Sequence, residues 1–333
     1  MKLQFLVPQY KETDDIVRVL LDSIAMQRGV DFSEIGVIIM NDGSDVRLSE
    51  GLLRSYPFEI QYGLAKHAGV SAIRNALLKC ATADYVMFCD ADDAFCNTLG
   101  VWMLLREING KGFDMLISRF MEECMHPLTG GMVYVSHGDD GTFVHGKVLR
   151  RQFLLDNDIR WDPHLTIHED SYFNLLCKVL SEDTKYCDDA FYMWQWRADS
   201  VAREDPDYLR KTYPLLLESN ASLVREFIRR ERMQPAVELV AAAVTDLYYT
   251  MQESEWLAPE NAAYRRAAED KLLELWPEWE ELFNAIDPAA FMEYSTLSRK
   301  RHISEGMGME HQSMKEWMQE ALHLDDTGIT ADQ

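Results

Sequence analysis

Continuous apolar runs, each closed by turn-forming or charged residues, punctuate the first part of the chain. Leu3–Val7 is the first, stopped by Pro8, whose missing N–H suits the end of a strand. Thr13 or Asp14 can then cap a helix on which Val17, Leu20, Leu21 and Ile24 share one face. Ile35–Met40 is a second run, closed by Asn41-Asp42-Gly43-Ser44; a helical stretch follows, then a third strand at Phe58–Tyr62. Val70, Ile73, Leu77 and Cys80 mark another helix. Tyr85–Cys89 reads as a fourth strand, although the periodicity of so short a run fits a buried helix as well. Largely apolar strands that alternate with helices predict a parallel sheet covered on both faces.

Beyond Asp93 the pattern loosens. Val101–Ile108 reads as helix, Asp114–Ser118 as strand and Met132–Ser136 as an edge strand, with turn residues at Leu128–Gly131 and Gly138–Gly141. Lys147–Asn157 reads as helix, and Ile159–Pro163 leads towards His168-Glu169-Asp170. Ser171–Leu180 is a helix begun by acids, as the helix dipole favours, and Phe191–Trp196 is a further strand. From about Asp205 helix formers dominate, over Tyr208–Arg232, Pro235–Ser254, Asn261–Ile286 and Ser313–Leu322. Leu216, Leu223 and Phe227 form one apolar stripe, and Val237, Val240, Val244 and Leu247 another. The expected organisation is an α/β domain over residues 1–204 and an α-helical region over 205–333, with a polar end at Asp325–Gln333.

A chain of 333 residues can bury one large or two ordinary cores. With 56 acids against 33 bases the net charge is −23, which argues against a nucleic-acid partner, since that needs a basic footprint. The six cysteines form no CxxC pair, so structural zinc and thioredoxin-like chemistry find no support, and their scatter suits a reducing compartment. The N-terminal apolar stretch is too short for a signal peptide, and no run is long enough for a membrane span. The expected setting is cytoplasmic.

The strongest local chemistry is Tyr85–Asp93, an apolar run ending in Asp90, Asp92 and Asp93. Three acids at the mouth of a core strand repel one another unless a cation neutralises them. Asp90 and Asp92, two apart on extended chain, would point to one side and share a hard divalent ion, whose usual companion is a phosphate. The site would then lie at the carboxyl end of the sheet, where open α/β folds bind ligands. Asp42 closes another strand, and its carboxylate there can accept N–H groups from a base ring; an ordinary Asx turn is the alternative. No GxGxxG or P-loop occurs.

Taken together these pieces resemble the inverting family-2 glycosyltransferases with the GT-A fold, over about Met1 to Arg203. Phe5-Leu6-Val7-Pro8-Gln9-Tyr10 looks like the family's opening strand and nucleotide-binding turn, and Met40–Ser44 like the turn whose acid contacts the base. His67–Asn75 resembles the stretch that carries a basic residue near the donor, here Arg74. Cys89–Asp93 resembles the metal-binding acidic motif, His168-Glu169-Asp170 the later Glu-Asp pair, and Trp196–Val201 the closing segment. The resemblance implies a Rossmann-like, mainly parallel sheet with flanking helices. It also implies a hexosyltransferase of polysaccharide-biosynthesis type, using a nucleotide sugar, a UDP-sugar above others.

On that resemblance Asp92 and Asp90 hold Mn²⁺ or Mg²⁺, while Pro8, Tyr10, Asp42, Arg74, Asp90 and Ala91 line the donor. Asp170, or alternatively Glu169, takes the proton of the acceptor hydroxyl, and His168, Trp196 and Arg197 are candidate acceptor or diphosphate contacts. Arg74 and Arg197 have a purely structural alternative, pairing with carboxylates, and the aromatics one in core packing. The acceptor would be a glycan, a lipid-linked group or a protein; the lipid-linked case brings the protein to the membrane periphery. The helical region could set acceptor choice or form a homodimer. Two competing readings stand beside this one: a nucleotidyltransferase, which usually carries a Gly-rich basic loop that VPQYKETDD lacks, and a non-catalytic nucleotide-sugar-binding protein.

Overall fold

The computed structural model describes residues 1–126, 128–138, 141–197, 205, 207–304, 307–308 and 310–323. The expected closing segment at 198–201, the centre of the Gly138–Gly141 turn, the boundary at 204 and the polar end 325–333 lie outside these residues. The chain divides into two compact units, Met1–Ser200 and Val201–Gln333.

In the first unit, four parallel strands form the expected half of a sheet: β1 (Leu3–Gln9), β2 (Ile35–Asp42), β3 (Glu59–Ala65) and β4 (Tyr85–Phe88). β1 lies between β2 and β4, and nearly every residue of β1, β2 and β4 is buried, as continuous apolar runs require when both faces are covered. Pro8 falls beyond the last pair of β1 with β4, Leu6 with Phe88, so its missing donor breaks no bond on that side. Helices α1 (Asp14–Ala25) and α3 (Val70–Cys80) flank the sheet; a single turn, α2 (Glu50–Leu53), precedes β3. Val17, Leu20, Leu21 and Ile24 are the buried face of α1. Thr13 occupies its N-cap without using its hydroxyl; Asp14 instead accepts hydrogen bonds from the backbone and side chain of Ser49.

Past β4 the sheet becomes mixed. It continues through β8 (Lys147–Arg150), β6 (Met115–Met125), β9 (Thr184–Trp194) and the two-residue β5 (Ala94–Phe95), while β7 (Met132–His137) pairs with β6. β8 corrects the helix expected over Lys147–Asn157. Leu149 pairs antiparallel with both Val86 of β4 and Met115 of β6, and helix begins only at α5 (Arg151–Asp156). β9 starts earlier than its apolar end suggested, because its polar first half is held by parallel pairing to β6. α4 (Gly100–Asn109) and α6 (Glu169–Leu180) complete this unit. The α/β expectation therefore holds, with parallel order confined to β3-β2-β1-β4 and the neighbouring β6/β9 pair.

The second unit is helical throughout its described residues: α7 (Tyr208–Arg229), α8 (Met233–Thr250), α9 (Ser254–Leu257), α10 (Ala262–Asn284), α11 (Pro288–Ser304) and α12 (Met314–Ala321), with a 3-10 turn before α10. The stripe Val237, Val240, Val244 and Leu247 is buried; on α7 it is Leu217, not Leu216, that joins Leu223 and Phe227. α11 escaped the sequence reading because it has no apolar stripe: His302 is its one fully buried residue. No helix among the described residues is long and apolar enough to cross a membrane.

Candidate active site

Because β1, β2 and β4 run parallel, Gln9, Asp42 and Cys89 leave the sheet at one edge. Buried Asn41 and Gln9 tie the first two exits together: Asn41 Nδ2 donates to Gln9 Oε1 (2.6 Å) and to the Val46 carbonyl (2.8 Å). Asp42 then holds the start of α3. Its Oδ1 accepts from the Ala68 backbone N–H at 2.7 Å, and its Oδ2 from Gly69 at 3.1 Å and from His67 Nδ1 at 2.9 Å. The fit is close: Gly43 has φ +71°, and a Cβ there would lie 2.4 Å from the His67 nitrogen. Tyr10 stacks on the His67 ring at 4.9 Å, with Lys11 Nζ 5.0 Å from the Tyr10 centroid. A carboxylate offers about four lone-pair sites, so three donors from the chain leave Asp42 room for one more.

At the end of β4, residues 90–93 turn rather than continue extended, with the Asp93 N–H bonded to the Asp90 carbonyl at 3.3 Å. The alternation that would put Asp90 and Asp92 on one face of a strand therefore does not apply. Tyr192 of β9 holds the turn instead. Its hydroxyl accepts from the Asp90 N–H at 2.9 Å and donates to Asp93 Oδ2 at 2.8 Å, while the Gln195 N–H donates to Asp93 Oδ1 at 3.0 Å. Asp93, unassigned from the sequence, is thus the buried anchor of the motif; Ala91 is buried beside it. Burial, then the Asp90 and Asp92 charges, push Asp93 well above the usual carboxylate range. Asp92, paired with Arg197 Nη1 at 3.2 Å, is pushed up to about 6 by burial and Asp90 against the pull of Arg197.

Glu169 and Asp170 open α6 after His168, which adopts the left-handed conformation (φ 61°) at the N-cap. Arg74, 3% exposed on α3, joins them to the acidic turn. Its Nη1 donates to Asp170 Oδ1 (2.6 Å) and Glu169 Oε1 (3.0 Å), and its Nη2 to Asp90 Oδ1 (3.2 Å). The guanidinium also lies 4.4 Å from the ring centroid of buried Trp161. Burial works against its charge, yet Asp170, Asp90 and Glu169 together hold it above its ordinary value. Asp170 is engaged at both oxygens, its Oδ2 accepting from the Val144 N–H at 3.1 Å. Glu169 is pushed up to about 7 by burial first and Asp170 second. The structure pairs Arg74, expected to line the donor or else to pair with carboxylates, with three carboxylates. Trp196 is half-buried, its N–H donating to Glu123 at 3.1 Å.

Five carboxyl groups (Asp90, Asp92, Asp93, Glu169 and Asp170) are thereby gathered with two guanidiniums, Arg74 and Arg197. An all-oxygen set with unbalanced negative charge fits a hard divalent cation. Arg74 pairs with Oδ1 of Asp90 and Arg197 with Oδ2 of Asp92. Buried His145, 3.8 Å from Asp93, forms a metal-capable group with Asp90 and Asp93, whose ligand atoms lie within 4.8 Å of one another. Neither Tyr192, Trp161 nor His145 carries any local sequence signal; only their aromatic strand and loop contexts were visible.

The sequence model of Glycosyl transferase family 2 matches residues 5–167. An Escherichia coli (strain K12) protein described as "Uncharacterized glycosyltransferase YibD" is 33% identical over 101 residues, 29% of this chain and 28% of that protein. Among solved structures, S. aureus TarS 1-349 in complex with UDP-GlcNAc matches with a TM-score of 0.61 at 18% identity, covering 92% of each chain. The mannosyltransferase PcManGT from Pyrobaculum calidifontis, in complex with GDP-Man and Mn²⁺, matches with a TM-score of 0.51 at 14% identity, over 97% of this chain and 85% of that one. At such identities these two likenesses speak for the fold, which is GT-A followed by helices.

Proposed function

Residues 5–167 belong to glycosyl transferase family 2, and on that footing we propose that the chain moves a sugar from a nucleotide-sugar donor, a UDP-sugar above others, to an acceptor hydroxyl with inversion. One observation carries the reading: the acids of the turn after β4 and the pair opening α6 converge on a single buried arginine. The two halves of a displacement reaction, leaving group and incoming nucleophile, need such groups side by side.

Asp92 and Asp90 would hold Mn²⁺ or Mg²⁺, which when bound supplies counter-charge to the departing diphosphate. Tyr10, Pro8 and the remaining acceptor site of Asp42 receive the nucleotide base, with Ala91 packed beneath the donor. Asp170 takes the proton of the acceptor hydroxyl, with Glu169 as the alternative; the upward shift of Glu169 suits a group that exchanges protons near neutrality. Attack from the face opposite the diphosphate, in one displacement, inverts the anomeric centre. His168, Trp196 and Arg197 border this path. Residues 1–204 form the catalytic part, and the helical region 205–333 serves acceptor choice or self-association.

A thermal-shift screen of UDP- and GDP-sugars, with and without Mn²⁺, followed by turnover assays with glycan and lipid-linked acceptors, tests the proposal. The expected result is Mn²⁺-dependent stabilisation by a UDP-sugar that is then consumed with release of UDP. A protein that neither binds nor turns over any donor sinks it; release of pyrophosphate from UTP and a sugar phosphate would replace it with nucleotidyl transfer.

A further inference from the structure

We propose that Arg74 is a positioning residue, fixing the separation between the donor-side acid Asp90 and the base-side acids Glu169 and Asp170, and that it contacts no part of the donor. The inference rests on the transferase reading above. Arg74 is buried, and its two terminal nitrogens have different partners: Nη2 meets Asp90 at 3.2 Å, and Nη1 meets Asp170 at 2.6 Å and Glu169 at 3.0 Å. A guanidinium is a rigid plane, so the distance between its nitrogens sets the distance between the carboxylates. The plane itself lies over Trp161, whose backbone N–H donates to Asn75 Oδ1 at 3.0 Å, next to Arg74 on α3. The Asn75 amide returns a bond to the Trp161 carbonyl at 2.8 Å. Arg74 is therefore fixed at its backbone, at its face and at both ends of its fork.

Such a clamp acts on geometry rather than on binding. Donor-side and base-side groups must lie on opposite faces of one anomeric carbon, and a misplacement near 1 Å costs on the order of 100-fold in rate. Lysine keeps the charge that three carboxylates demand but has one point of contact, so it cannot span both sides.

The experiment compares full-length wild type with Arg74→Lys, using UDP with Mn²⁺ as the binding probe and the UDP-sugar consumed by wild type as substrate. The expected result is kcat lower by about 100-fold in Arg74→Lys, with UDP affinity and donor KM within about threefold of wild type. A loss of UDP affinity equal to the loss of kcat would make Arg74 a diphosphate ligand and overturn the proposal. Unchanged kcat would reduce it to a structural cation and overturn it equally. A crystal structure of Arg74→Lys supplies a readout independent of turnover: Glu169 and Asp170 should shift relative to Asp90, and unmoved carboxylates reject the clamp. Should wild type consume no donor, the transferase reading fails on its own, and that crystal structure still decides the role of Arg74.

Discussion

Each unit of the molecule holds a buried charged network, and the two are balanced in opposite senses. In the helical unit, His302 is 2% exposed; its Nδ1 meets Glu253 Oε1 at 2.5 Å and its Nε2 meets Asp246 Oδ1 at 3.2 Å. Arg301 also pairs with Asp246, and the Tyr213 hydroxyl donates to it at 3.2 Å. There the cations match the acids. Although burial opposes both charges, Asp246 is held below its usual value, and the hydrogen bonds that His302 donates to Asp246 and Glu253 carry it up to about 9. In the α/β unit the acids outnumber the cations, and Asp92, Asp93 and Glu169 are all pushed upward. The direction of the shift separates a strut from a site: satisfied carboxylates brace helices, whereas under-neutralised ones await a cation or a proton.

Asp170→Asn should have the largest effect on the site. Loss of a general base costs about 10²–10⁴-fold in turnover, with UDP binding retained; turnover near wild type would move the role to Glu169. Asp92→Asn should lower turnover by about 10²–10³-fold, the range for removing one electrostatic contact to developing charge. Its melting temperature at pH 7 should be no lower than wild type. The Asp92 carboxyl is raised from 3.8 to about 6 in the fold, so its ionisation penalises folding above pH 6, and asparagine removes that penalty. A clear drop in melting temperature would show that Asp92 is a strut after all.

His302→Gln should do the reverse, leaving UDP binding and turnover intact while destabilising the helical unit by about 1–3 kcal/mol, because buried acceptors lose their donor. The smallest effect is the pH dependence of the same network. His302 titrates at 6.5 unfolded and about 9 folded, so its stabilisation is complete below pH 6.5 and lost as pH rises through 9. Thermal melts of wild type and His302→Gln should therefore converge at high pH; a constant gap would exclude the protonated imidazole as the cause.

The core strands were legible because burial on both faces leaves a local trace: Leu3–Val7 is apolar except for Gln4, and Ile35–Met40 and Tyr85–Cys89 carry no polar side chain but the Tyr85 hydroxyl. Asp42, Asp90, Asp92, Glu169 and Asp170 were legible as charges at the ends of such elements. What joins them was not. Arg74 showed as a cation on α3, but its three partners lie elsewhere in the chain, and Tyr192 offered only one more aromatic in a strand. β8 was misread for the same reason, since Lys147–Arg150 takes its conformation from strands on either side rather than from its own pattern. α11 lacked the one-sided stripe by which a helix announces itself.

The Tyr192 hydroxyl, bonded to both Asp90 and Asp93, lies 102 and 99 residues from them along the chain, and Asp170 lies 96 from Arg74. Closing loops of that length comes late, after the local helices and the first βα units have formed. On the ribosome, the acids of the β4 turn must therefore wait, mutually repelling, until β9 has emerged and joined β6. The motif most easily read in the sequence is among the last parts of this unit to take shape.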